Sequence, residues 1–150
     1  MIALIQRVRR ASVDVDGECI ATIGTGILAL IGVAAGDDTA QADRLLERVL
    51  TYRIFPDDEG RMNRDLRSTG GGLLLVPQFT LAADTRKGTR PGFSTAAAPE
   101  LARRLFEHLQ QQAGLRHPQV ACGRFGADMQ VSLVNDGPVT FLLDTARAPD

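Results

Sequence analysis

Apolar side chains alternate along the start of the chain, but their phase changes on the way. Ile2, Leu4 and Val8 fall in one register, whereas Ala11, Val13 and Val15 fall in the other. A strand keeps a side-chain period of two, so the shift predicts a strand over 2–15 with a bulge near Arg9-Arg10. Asp16-Gly17 follows, the dipeptide that best accepts the positive φ angles of a type I′ turn, and Glu18 to Ile23 is the return strand.

Ile27 to Ile31 is continuously apolar between glycines, too short for a helix and suited to a central strand covered on both faces. Asp38 with Gln41 three residues on predicts a helix start; Ala42, Leu45, Leu46, Val49, Leu50 and Arg53 then mark one face, and the helix ends near Tyr52. Residues 56–72 are polar and rich in breakers, a loop or short ribbon, before Leu73 to Leu81 resumes as a strand. A second long loop spans Ala82 to Ala98. Pro99 opens a second helix, with Leu101, Leu105 and Leu109 four apart, that Gly114 is expected to end. Short strands follow at Gln119–Cys122, Met129–Val134 and Val139–Leu143, the last two joined by a tight turn at Asn135-Asp136-Gly137-Pro138.

Strands, helix, strand, helix, strands is not βαβ alternation. The order predicts an α+β fold with a mixed, mainly antiparallel sheet and two main helices, formed as one domain over residues 1–150. Gly24-Thr25-Gly26 and Gly70-Gly71-Gly72 invite a phosphate-loop reading, but neither continues into a dinucleotide or Walker pattern, so both read as turns.

Composition removes several function classes. Hydrophobic residues at 44% and charged ones at 23% are ordinary globular usage, which gives no support to disorder or a fibrous chain. No apolar run approaches the roughly 18 residues of a membrane span, and the N-terminus has its apolar run before its first positive charge, the reverse of a signal peptide. A cytoplasmic location is expected. Seventeen basic residues against eighteen acidic ones leave a net charge of -1, which argues against gripping long nucleic acid by counterion release. Lys87 is the single lysine, so a Schiff-base lysine has almost no candidate. Cys19, Cys122, His108 and His117 show no ligand spacing; no metal and no cofactor are expected, and both thiols read as free and structural.

Three places can carry chemistry. Pro77-Gln78-Phe79-Thr80-Leu81 brings amide, aromatic and hydroxyl groups to the end of an apolar strand, although Thr80 alone is equally a common sheet residue. In Asn135-Asp136-Gly137-Pro138-Val139-Thr140, glycine and proline together can hold backbone carbonyls rigidly outward; the base rate of about 5–6% cis makes the Gly137-Pro138 bond trans on these grounds alone. Cys122 with His108 or His117 would make a cysteine hydrolase, but nothing in the spacing aims either ring at the thiol, and His108 is explained as a solvated helix residue.

Gln78-Phe79-Thr80-Leu81 followed by Asn135-Asp136-Gly137-Pro138-Val139-Thr140 resembles the D-aminoacyl-tRNA deacylase family. Met1 to Val8, Tyr52-Arg53-Ile54-Phe55, Arg90-Pro91-x-Phe93-Ser94 and Asp128-Met129-Gln130-Val131-Ser132-Leu133 extend the likeness over nearly the whole chain. The resemblance implies a barrel-like core and a homodimer that hydrolyses the ester joining a D-amino acid to the 3′ end of tRNA, with glycyl-tRNA as a further substrate. It places Gln78, Phe79 and Thr80 on the ester and adenosine, with Met129 beside the substrate. Backbone N–H groups and the substrate's own 2′-hydroxyl then drive hydrolysis; Thr80 positions first and is a nucleophile second. The resemblance also implies a cis Gly137-Pro138 that enters the partner subunit's pocket to exclude L side chains, replacing the trans expectation. Arg7, Arg86, Lys87 and Arg90 are expected phosphate contacts. The family usually carries serine where this chain has Pro77, which removes a hydroxyl and an N–H and predicts a sheet edge or bulge there. The alternatives are a noncatalytic module for the tRNA acceptor end and the cysteine-dependent hydrolase.

Overall fold

Along the chain, strands β1 (Ile2–Val15), β2 (Glu18–Ile23) and β3 (Gly26–Gly32) precede helix α1 (Thr39–Thr51). A small ribbon, β4 (Phe55–Pro56) and β5 (Met62–Arg64), and a one-turn helix α2 (Leu66–Thr69) lead to β6 (Gly72–Pro77). Helix α3 (Pro99–Arg116), β7 (Val120–Cys122) and β8 (Gln130–Asp144) complete the order in this computed structural model, which describes residues 1–146.

The phase change in β1 organises the sheet. Ala3 and Ile5 join one buried cluster, whereas Val8, Ala11, Val13 and Val15 join a second one. The switch coincides with a slip in pairing to β8 between Val8 and Arg10, so the bulge sits where the hydrophobic pattern requires it. Asp16 (φ 52°) and Gly17 (φ 79°) make the turn into β2, both left-handed as type I′ demands. Strand order is β2-β1-β3-β6-β7, with β8 also pairing β1. β3 runs antiparallel to β1 and parallel to β6, and both β3 and β6 send alternate residues to the two clusters, hence their unbroken apolar runs. Helices α1 and α3 cover the first cluster; on the other side the sheet curls into a barrel-like wall as β2 packs on β6 and β7.

Local chemistry sets the helix ends. Asp38 and Gln41 form a reciprocal capping box at α1, and Tyr52 caps its end. Arg53 lies beyond that cap and is exposed, so it is not part of the buried face the spacing gave it. Helix α3 continues past Gly114 to Arg116: one exposed glycine costs about 1 kcal/mol without stopping a helix, whereas Pro118 forces the preceding His117 into extended backbone (φ -142°, ψ 136°). His108 is half-buried rather than solvated; its Nε2 lies 2.9 Å from Asp43 Oδ1 and ties α3 to α1.

Two further differences shape the site. The strand expected over 73–81 ends at Pro77, and Phe79–Ala82 form a 3₁₀ turn packed on Gly32, where an added Cβ would lie 2.8 Å from Leu81 Cβ. The tight turn at 135–138 is absent, because both halves of β8 run antiparallel to the same strand. Val8 pairs Asn135 and Gln6 pairs Thr140, so residues 136–139 bulge outward opposite Arg7 alone, and the chain does not reverse.

Candidate active site

Pro77 is placed where its missing N–H does no harm. In β6 the Leu73 N–H donates to Gln119 and Leu75 accepts from Gly123, so odd-numbered residues point their backbone groups toward β7. β7 ends at Cys122, and Pro77 therefore faces no strand that would need its donor. On the other side, the Gln78 N–H donates to Ile31 O (2.7 Å) and anchors the 3₁₀ turn to β3.

That turn floors a cleft of about 450 Å³, the size range of small-ligand sites. Gln78 and Phe79 line it from below; Phe125 to Met129 and Val131 form one wall, and Ala97, Pro99 and Ala102 the other. Phe79 is 61% exposed and meets the ring of Phe93 at 5.4 Å, leaving an aromatic face free for a ligand. Gln78 Nε2 donates to Thr80 Oγ1. No histidine, lysine or carboxylate hydrogen-bonds the Thr80 hydroxyl among the described residues, so it has no base to activate it. The Phe79 and Thr80 amides begin a helical turn, where N–H groups lack intrahelical acceptors, and neither finds another backbone acceptor among the described residues.

The structure brings Gln78, Phe79 and Met129 together and leaves other expected site residues elsewhere. Thr80 is exposed at the cleft floor's edge. Gly137 and Pro138, joined by a cis bond, are exposed on the β8 bulge and do not line their own chain's cleft. Arg7 turns inward beneath them: Nη1 donates to Ile54 O (2.7 Å) and Nε to Asp136 O (3.1 Å), with the side chain 13% exposed, a geometry that braces the bulge and is not aimed at a phosphate. Arg86 forms a two-pronged pair with Asp84 (2.9 and 2.8 Å), which holds that carboxyl at about 2; Lys87 and Arg90 are exposed on the same loop, which is closed by paired Asp84–Gly92 hydrogen bonds. Phe93 and Phe125 belong to the site without having been singled out for it. Phe93 stood in a quoted motif, but Phe125 has no sequence signal beyond being an aromatic in a polar stretch.

The cysteine reading loses its geometry. His108 is bonded to Asp43, His117 Nε2 donates to the Gly71 carbonyl (2.6 Å), and burial pushes the Cys122 thiol up to about 11. Neutral near pH 8 and half-buried, Cys122 should alkylate far more slowly than exposed Cys19. Peptide mapping after brief iodoacetamide treatment at pH 8 checks this; comparable labelling of both thiols would contradict it.

A family model described as D-Tyr-tRNA(Tyr) deacylase matches residues 4–144. The chain belongs to that family. A D-aminoacyl-tRNA deacylase of Thioalkalivibrio sulfidiphilus (strain HL-EbGR7) is 66% identical over 144 residues, 96% of this chain and 97% of the relative. One from Methylococcus capsulatus (strain ATCC 33009 / NCIMB 11132 / Bath) is 64% identical over 143 residues, 95% of this chain and 94% of the relative. Among solved structures, a c-Myc DNA unwinding element binding protein superposes with a TM-score of 0.92 at 36% identity, covering 97% of this chain and 99% of that one. A probable eukaryotic D-amino acid tRNA deacylase shares the fold at 15% identity, with a TM-score of 0.83 over 95% of this chain and 97% of that one. The α+β, barrel-like architecture is thus that of the deacylase family.

Proposed function

We propose that this chain hydrolyses the ester between a D-amino acid and the terminal adenosine of tRNA, releasing free tRNA and the D-amino acid. The observation that carries the reading is a cleft floored by Gln78 and Phe79 at the start of a 3₁₀ turn, whose Phe79 and Thr80 amides have no backbone acceptor among the described residues and whose Thr80 hydroxyl has no base, in a chain 66% identical to a relative named for that activity. Water attacks the ester carbonyl with help from the substrate's own 2′-hydroxyl, the two amides hold the tetrahedral oxyanion, and collapse breaks the bond to the ribose oxygen, which takes up a proton. Each such amide is worth about 2.7–4 kcal/mol in the transition state. Gln78 fixes Thr80, Thr80 positions the ester, Phe79 offers a stacking face, and Met129 lines the cleft wall.

Chirality is read by exclusion in this proposal. Gly137-Pro138 of a second copy closes the cleft as a carbonyl wall that an L side chain strikes and a D side chain avoids; the exposed placement of the β8 bulge favours a role outside its own chain. Glycine has no side chain to strike it, so glycyl-tRNA is accepted too. Lys87 and Arg90 add weak, salt-sensitive phosphate contacts, suited to an enzyme acting in the cytoplasm that must release tRNA after each turnover.

Purified protein offered matched D- and L-aminoacyl-tRNA, without added metal, should release only the D-amino acid, and Thr80→Ala should lower kcat by less than about tenfold. A Thr80→Ala enzyme with no activity would make the hydroxyl the nucleophile. Tight tRNA binding with no hydrolysis of either ester would replace the whole reading with the noncatalytic module.

A further inference from the structure

Phe125 is a shared wall. On one side it closes the cleft; on the other it borders a second concavity of about 340 Å³ that also holds Arg103, Glu107, Cys122 and Arg124. The Arg103 guanidinium lies 4.8 Å from the centre of the Phe125 ring, so its position is set before any ligand arrives. Arg124 reaches the same hollow from the loop after β7, and its backbone N–H donates to Met129 Sδ (3.4 Å), the same Met129 that lines the cleft. Neither arginine forms an ion pair with a described residue, in contrast to Arg86, whose charge is already met by Asp84. Two exposed guanidinium groups against one carboxylate, Glu107, leave this concavity a net positive hollow separated from the cleft by one aromatic ring.

We infer that this hollow binds the phosphodiester on the 5′ side of the terminal nucleoside, with Arg103 and Arg124 as its two ligands. The inference rests on the reading that the cleft holds the aminoacylated nucleoside. An RNA chain whose last nucleoside occupies the cleft must leave it past a wall, and a backbone phosphate crossing at Phe125 meets two guanidinium groups, the side chain best matched to a phosphate's oxygen pair. Arg103, already held over the ring, orders little side-chain freedom on binding. This subsite supplies local phosphate recognition in a chain whose net charge is -1.

The test compares D-aminoacyl-tRNA with a 3′-D-aminoacyl adenosine that has no phosphate, using wild type, Arg103→Gln, Arg124→Gln, the double variant and Arg103→Lys. For tRNA the double variant should raise KM about tenfold or more with kcat unchanged, and the slope of log KM against log salt should fall by about 0.7 per arginine removed. KM for the nucleoside ester should move less than twofold in every variant. Arg103→Lys keeps the charge but loses the planar fork, and should fall between wild type and Arg103→Gln on tRNA alone. An equal loss on both substrates, or an unchanged KM and salt slope on tRNA, overturns the inference. A wild-type protein that hydrolyses neither ester overturns the deacylase reading and this subsite with it, a result distinct from the others.

Discussion

Gly26→Ala should yield no folded protein. A Cβ at Gly26 would stand 1.9 Å from the carbonyl oxygen of Gly72 and 2.7 Å from its backbone N and C, and all three are backbone atoms that no rotamer change can remove. Gly26 and Gly72 are the first register pair of β3 and β6, the parallel strands at the centre of the sheet, so relief requires prising apart the two most buried strands. The neighbourhood is equally tight: a Cβ on Gly72 would meet Ile23 at 2.9 Å, and one on Gly71 would meet Thr25 O at 2.8 Å. Separating the two strands costs well beyond about 5 kcal/mol, a loss on the scale of the about 5–15 kcal/mol that holds an ordinary domain folded. Gly24→Ala is the matched control, since its Cβ would meet nothing within 4 Å and its φ is not positive. It should retain wild-type stability or gain about 0.4–1 kcal/mol through the unfolded chain. Circular dichroism and urea unfolding of both variants decide the matter; a folded Gly26→Ala with a wild-type midpoint would show that the strands can separate at this point after all.

Arg7→Ala is expected to be the second most damaging change, and it acts on two readouts. Among the described residues the guanidinium is the only side-chain donor to Ile54 O and to Asp136 O, and Ile54 is fully buried. Its Nη2 also packs 3.3 Å from where a Cβ on Gly137 would be, so the side chain underlies the bulge as well as bonding it. Truncation leaves a buried carbonyl without its charged donor, at about 3 kcal/mol, and the urea midpoint should fall with the slope unchanged. Residues 136–139 would also lose their cationic brace and keep the Val139 N–H bond to Asn135 Oδ1, since Arg9 contributes only an exposed contact to Asp136 at 3.5 Å. Under the proposed function the ratio of D- to L-ester hydrolysis should then fall at least about tenfold, measured well below the variant's melting temperature. Arg7→Lys keeps the charge but cannot span two carbonyls with one ammonium, and should recover stability only in part. Wild-type stability, or reduced stability with an unchanged D-to-L ratio, would leave Arg7 as ordinary packing.

These two residues also mark what could be read from sequence. Arg7 was visible as one cation among many and was expected on a phosphate; its inward turn depends on β8 bulging opposite it, and pairing between residues so far apart in the chain leaves no local trace. The glycines of 24–26 and 70–72 were visible as breakers and read as turns. Gly70 does cap α2 in left-handed backbone (φ 68°), but Gly26 and Gly72 are required by a close approach between strands, which composition cannot report. The site motif was legible as a motif only. Gln78 to Leu81 looked like the end of a strand because the residues are strand formers, and the 3₁₀ turn that begins at the Phe79 and Thr80 amides is accommodated because Gly32 leaves room beneath it.

By itself the sequence determined the local features: the phase-shifted β1, the Asp16-Gly17 hairpin, the boxed start of α1, the buried runs of β3 and β6, and the family motifs. Each is set by a period or a dihedral preference acting over a few residues. Only the tertiary structure decided that β8 is one bulged strand, that Pro77 falls past the end of β7, and that Phe125 divides the cleft from the Arg103–Arg124 hollow. Those depend on strands far apart in sequence choosing one register, a choice made by the burial of both faces of the sheet at once.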